Sequence, residues 1–250
     1  MKIAVCIKRV PDTETRIRIA ADGVTVDESG VKFILNPYDE FAIEEALQRR
    51  EKAGAGEIVV VALGPEAAQE TIRAALALGA DRGVLLKADA VPADTLAVAK
   101  ALAAELKDGG FDLVLFGKVA VDDTAQAVGP MTAELLGLPC VTAITKLEIE
   151  GGKGTAQREI EGGVEVVTFA LPAALTCEKG LNTPRYPALK GIMAAKKKPI
   201  EVKAVALAAP RLRVAALEQP PTRQEGRIVG EGADAVPELV RLLREEAKVL

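Results

Sequence analysis

Four short apolar runs recur along the chain at the spacing of buried strands: Lys2 to Ile7, Glu57 to Leu63, Gly83 to Lys87 and Asp112 to Phe116. They are continuous rather than alternating, the pattern of strands covered on both faces. Between and around them, helical periodicity predicts helices over about 40–52, 66–78, 94–107 and 124–136, followed by Gly54, Gly79, Gly109 and Gly137 as terminators. This alternation predicts an α/β fold, an open and mostly parallel sheet with helices on both faces. Two segments depart from it, 16–33 around Asp22 and Gly23 and 147–170 with glycines at 151–154 and 162–163, and both read as antiparallel hairpins. After Pro199 comes a short β-like run, then Pro210, Pro220 and Pro221, then a helix over about 235–249. The division expected is an α/β domain over 1–199 and a C-terminal arm with a helix over 200–250.

Composition narrows the chemistry. The chain has 250 residues, 49% of them hydrophobic, enough for a sizeable core and a soluble globular class. A formal charge of -4 and few aromatics oppose nucleic-acid binding. No apolar run reaches membrane-span length, and the N-terminus enters a strand directly instead of a signal peptide, so the cytoplasm is the expected compartment. With no histidine and Ser29 as the only serine, a Ser-His-Asp triad is impossible. Cys6, Cys140 and Cys177 form no CxxC pair and are expected as buried thiols, without a metal set. The acidic residues read as solvated helix faces or caps. No catalytic residue emerges, and the chain reads unlike a self-sufficient enzyme.

Three segments carry candidate chemistry. Gly117 and Lys118 follow the fourth strand and precede Asp122, Asp123 and Thr124 at an expected helix start, where free amides attract phosphate. The segment is neither GxGxxG nor Walker-like, and a capped strand-to-helix turn needs no ligand. In a second turn, Asn36 stands before Pro37 and is held extended, so its amide can face a ligand, although a capping turn explains it equally. The third segment, 171–200, ends an apolar strand and becomes a loop punctuated by Pro184 and Pro187, with an exposed Leu189 and the cluster Lys196, Lys197 and Lys198. An apolar tip beside compact positive charge suits docking to an acidic partner.

LNTPRYPALKGIMAAKKKPI at 181–200, NPYDEFAIEE at 36–45 and GKVAVDDTAQAVG at 117–129 together resemble the electron transfer flavoprotein beta subunit, in that family's order and length. The resemblance implies that Gly117, Lys118, Val119, Ala120, Val121, Asp122, Asp123, Thr124, Ala125, Gln126, Ala127 and Val128 enclose AMP, with polar roles for Asp122, Asp123, Thr124 and Gln126. It implies that Asn36, Pro37, Tyr38 and Asp39 close over adenine and ribose with Cys6, Ile7 and Leu63, which otherwise read as core. It further implies a heterodimer whose alpha subunit carries most of the FAD site, with the C-terminal arm reaching across that subunit. The 178–198 loop, through Tyr186, Leu189, Ile192, Met193, Lys196, Lys197 and Lys198, would dock flavin dehydrogenases such as acyl-CoA dehydrogenases of fatty acid oxidation. Single electrons would then pass to a membrane quinone oxidoreductase, the redox chemistry belonging to the flavin.

An electron-bifurcating relative, with a second FAD in place of AMP, is the alternative within the family, and GVKFILNPYDE and LTCEKGLN look more like the AMP-binding type. A non-redox, stress-type nucleotide-binding domain shares the sheet but leaves the long loop and the arm unexplained. Against the family pattern, Thr124 stands where an aspartate is common, Thr183 where a glutamate is, Lys190 where a proline follows the docking leucine, and Ala194 where a lysine is frequent.

Overall fold

In chain order the elements of the computed structural model are β1 (Lys2–Ile7), β2 (Arg9–Pro11), β3 (Phe33–Leu35), α1 (Pro37–Ala53), β4 (Glu57–Gly64), α2 (Ala68–Leu78), β5 (Arg82–Lys87), α3 (Thr95–Leu106), β6 (Leu113–Gly117), α4 (Val128–Leu136), β7 (Cys140–Glu150), β8 (Lys153–Ile160), β9 (Gly163–Ala170), β10 (Ala173–Cys177), α5 (Leu189–Ala195), β11 (Ile200–Ala204) and α6 (Val236–Glu245). Residues 1–222 and 225–250 are described. Nine strands form one sheet in the order β11-β5-β4-β1-β6-β10-β7-β8-β9. Every neighbouring pair from β11 to β7 is parallel, and β7, β8 and β9 continue as an antiparallel meander. The fold expected from the apolar runs is the fold observed.

Each apolar run divides its side chains between two cores, as the two-residue repeat of a strand requires. Ile3, Val5 and Ile7 of β1 join Ile58 and Val60 of β4 under Ile43 and Leu47 of α1 and Ile72 and Leu76 of α2. The intervening Ala4 and Cys6, with Val59, Val61 and Leu63, face Leu102 and Leu106 of α3 and Ala133 of α4. Fully burying one such aliphatic side chain contributes about 1.5–3 kcal/mol, so both faces of the central strands stabilise the sheet.

Local chemistry sets the element ends. Pro37 occupies the first turn of α1, Asp39 and Glu40 lie at its positive end, Arg50 and Lys52 lie in its last turn, and Gly54 ends it in the left-handed region. α4 begins at Val128, four residues later than periodicity predicts, because Thr124 and Gln126 adopt φ of +52° and +54°. No right-handed helix passes through such residues. Gly109 does not terminate α3, which ends at Leu106 with Lys107 as its cap.

The 16–33 hairpin shrinks to the single bridge Ile19–Val26, with the Asp22 carboxylate accepting from Val24 and Thr25 amides in the turn. Phe33–Leu35 pairs with β2 instead. Ile200–Ala204 adds an edge strand to the main sheet, and the first compact unit runs to Ala216, beyond residue 199. The second unit, Leu217–Leu250, contains a 3-10 turn at Ala233–Ala235 and α6, which ends at Glu245. Among the described residues, no helix is long and apolar enough to cross a membrane.

Candidate functional site

Strand order places a crevice beside β1. The chain travels from β1 through β4 to β5 and then returns to set β6 on the other flank of β1. Open α/β sheets take ligands at such a reversal, outside the carboxyl ends of the strands. A cavity of about 100 Å³ lies there, lined by Cys6 and Ile7 of β1, Leu63 of β4 and Phe116 and Gly117 of β6. Val91 and Pro92 after β5, and Thr95, Val98 and Leu102 of α3, form a further apolar wall. The approach to α4 completes the lining with Lys118, Val119, Ala120, Asp123, Ala125, Gln126, Ala127 and Val128. At this end, the amides of Gln126, Ala127, Val128 and Gly129 donate to no acceptor among the described residues, leaving the positive pole of α4 turned to the cavity.

The sequence-selected residues do not all meet the cavity. Asn36 and Asp39 line it, whereas Tyr38, Val121, Asp122 and Thr124 do not, and Pro37 borders a separate groove beside Phe33 and α2. Asn36 is buried, and its amide is taken by the protein rather than turned to a ligand. Its Nδ2 donates to Asp39 Oδ1 and to the Val119 carbonyl, both at 2.9 Å, and its Oδ1 accepts from the Val121 amide at 3.2 Å. Asp39 accepts three hydrogen bonds: Lys8 N at 2.7 Å, Gly117 N at 3.1 Å and Asn36 Nδ2. Burial pushes its carboxyl up to about 7 against the lowering effect of those donors.

Lys8 reaches from the end of β1 to Asp122 and Asp123, at 2.8 and 2.7 Å. Burial pulls its ammonium down, but the two carboxylates outweigh that and hold it above its usual range. Lys118, which lines the cavity, is paired with Glu178. Burial, and then Asp39, push the Cys6 thiol far above its usual value, so it is an inert lining group. Cys177 is buried likewise, but Cys140, at the start of β7, is exposed, contrary to expectation.

The 178–198 segment is ordered by contacts with α1 and α2. Asn182 Nδ2 donates to the Phe41 carbonyl at 3.0 Å and to Glu45 at 3.1 Å. Arg185 holds both Glu44 and Glu51 at 2.7 Å. Leu189, expected in a loop, starts the short helix α5, which packs on α2 at Gly191, where a Cβ would lie 2.4 Å from the Ala77 carbonyl oxygen. Arg73 of α2 donates to the Ala195 carbonyl at 2.6 Å and to that of Lys198, capping the other end. Lys198 is not part of a free positive cluster, since its ammonium donates to the Leu76 and Ala80 carbonyls. Lys196 and Lys197 remain exposed. The outer surface carries Tyr186, Leu189 and Met193, which are 95%, 74% and 64% exposed, with Ile192 beside them.

The family model for the electron transfer flavoprotein domain matches residues 23–208. The chain is 44% identical to the electron transfer flavoprotein subunit beta of Bacillus subtilis, with all of both chains covered. It is 43% identical to that of Bradyrhizobium diazoefficiens, again over both whole chains, and 40% identical to the human protein over 98% of each. The chain belongs to the electron transfer flavoprotein beta-subunit family. This electron transfer flavoprotein family is one of electron carriers, its nature implies an associated flavin or nucleotide, and a beta subunit implies an alpha-subunit partner.

Within this electron transfer flavoprotein subunit, the sequence reading missed Lys8 and the wall made by Val91, Pro92, Thr95, Val98 and Leu102. The signal for both was position: each lies just past, or packs across, the carboxyl end of a predicted parallel strand.

Proposed function

We propose that this chain is the beta half of a heterodimeric electron carrier, holding structural AMP in the β1–β6 crevice and completing an FAD site borne mainly by the alpha subunit. The cavity suits an adenylate on its own chemistry. Leu63, Val91, Val98, Leu102 and Phe116 offer flat apolar walls to a purine, and the unpaired amides at the start of α4 offer donors to a phosphate. Lys8 offsets part of the charge of Asp122 and Asp123, so the loop carboxylates repel an incoming anion less. The backbone from Gly117 to Val128 would surround the nucleotide, with Cys6, Ile7 and Leu63 beneath it. When bound, the flavin supplies the redox chemistry, accepting and releasing electrons singly. The protein binds, orients and selects partners.

The observation that carries the docking role is the apolar surface of Leu189, Ile192 and Met193 on an anchored helix, with Tyr186 in the loop before it and Lys196 and Lys197 just after it. We assign it to flavin dehydrogenases of the acyl-CoA dehydrogenase kind, from which electrons continue to a membrane quinone oxidoreductase. A rigid apolar anchor rimmed by charge is how a small contact gains affinity and fast encounter. Leu189→Ala removes a side chain the fold does not bury, so flavin and AMP content stay unchanged while coupled electron transfer from the dehydrogenase slows by about tenfold. An unaltered coupled rate would refute the docking role. Denaturing the native heterodimer and assaying the released cofactors tests the other half: one AMP per FAD is expected, and two flavins without AMP would overturn it.

A further inference from the structure

We propose that Asp39 is a positioning residue for the nucleotide, a latch that holds the 117–121 segment in its binding shape when ionised and lets it go when protonated. The proposal rests on the reading of the crevice as an AMP site. Its basis is a chain of contacts in which the Asp39 side chain need not touch the ligand. The carboxylate accepts from the amides at the ends of β1 and β6 and from Asn36, which in turn fixes the Val119 carbonyl and the Val121 amide. All three partners of Asp39 are donors, so the neutral acid brings an O–H toward a donor and loses at least one bond.

Burial pushes Asp39 up to about 7, and it also raises the carboxyl of Glu45, although Arg49 and Asn182 oppose that rise. Lys8 and Cys6 face Asp39 from β1, and Cys177 faces it from β10. Burial keeps both thiols neutral, and Lys8 stays charged. Glu45 on the same helix faces Cys177 and is paired with Arg49 at 2.9 Å. The chain has no histidine.

Stability and binding then slope in opposite directions. The folded-state value for Asp39, about 7 against an ordinary 3.8, means its contribution to folding is fully present below the ordinary value and lost as pH rises through 7. The ionised latch is therefore held against the fold's own preference, a signature of groups kept for function. Nucleotide retention should instead weaken as pH falls through 7.

The test uses the full chain co-produced with its alpha subunit, with retained AMP followed over time. Wild type should release AMP about fivefold faster at about pH 6 than at about pH 8, because the roughly tenfold gap between the two forms expected for one or two hydrogen bonds is blunted by the minor form left at each pH. Asp39→Asn turns an NH2 on a donor at every pH. It should release AMP at the fast rate at both values, with a melting temperature at about pH 8 no lower than wild type; a merely structural residue would lower both together. The AMP phosphate itself titrates near 6, and any slope left in Asp39→Asn measures that share. Hydrogen exchange on wild type gives a readout that needs neither AMP nor the variant: protection of the 113–121 amides should fall on acidification relative to those of β4. Equal release rates and slopes for both proteins, or protection independent of pH, would overturn the latch. A wild-type complex free of AMP would instead refute the parent reading, and exchange would still decide the latch.

Discussion

Gly117→Ala is expected to destabilise the protein by about 3 kcal/mol or more and to abolish retention of the AMP proposed for the β1–β6 crevice. A Cβ built on Gly117 would lie 2.3 Å from Asp39 Oδ1, 2.7 Å from the Tyr38 carbonyl carbon and 2.8 Å from Asp39 N. Two of these are backbone atoms of the first turn of α1, which cannot rotate away. Relief requires pulling α1 from the end of β6, and that breaks the Gly117 N–Asp39 bond and the Asn36 contacts with it. The conformation of Gly117 is ordinary; the residue is required by close approach. Gly163→Ala on β9 is the control, since its added Cβ meets nothing within 4 Å. Thermal melting of the two variants should separate them by many degrees, and coincident curves would remove the steric argument.

Arg185→Met should free the 178–198 segment from α1 and cost about 2 kcal/mol, a figure reduced because the guanidinium is partly exposed. The loss falls on Glu44, which is 4% exposed and would be left without its cation. Burial pushes the Glu44 carboxyl up, but bonds from Arg185 and Gln48 outweigh it and hold the group below its usual range. A lowered carboxyl contributes stability above its ordinary value and loses it as pH falls through the folded one. Wild type should therefore weaken on the acid side, and Arg185→Met should lack that part of the slope. Limited proteolysis within 178–198 should speed up in the variant, while Leu189→Ala leaves cleavage unchanged. Cleavage at the wild-type rate would show that α5 is held by its α2 contacts alone.

The parts of the fold legible in the sequence were those set by burial. β1, β4, β5 and β6 are covered on both faces, so their apolar runs admit no other reading. What escaped depended on single backbone states or on distant partners. Thr124 and Gln126 look like helix formers, and nothing in their identities announces a positive φ. Lys198 reads as one of three equivalent lysines, yet the end of α2 lies beneath it and takes its ammonium. Asp39 looks like a first-turn acid satisfied at its own helix start, because two of its three partners, Lys8 and Gly117, are 31 and 78 residues away. Short helix α5 carries no periodicity long enough to detect, and the β-like run after Pro199 was visible but not its place in the main sheet, because an edge strand buries little. The strand-to-helix turn after β6 was legible from the strand pattern, but five of the residues the motif resemblance selected do not line the crevice there.

The segment that bears Leu189 joins β10 to β11, and four strands, β6, β1, β4 and β5, lie between those two in the sheet. It must bridge roughly 24 Å, five interstrand steps, across the outside of α1 and α2. The connection is longer than that distance demands, and the surplus is taken up by α5 and its contacts, so Leu189 rides on a segment fixed at both ends. Loss of either attachment would let the leucine drift from the face of α2.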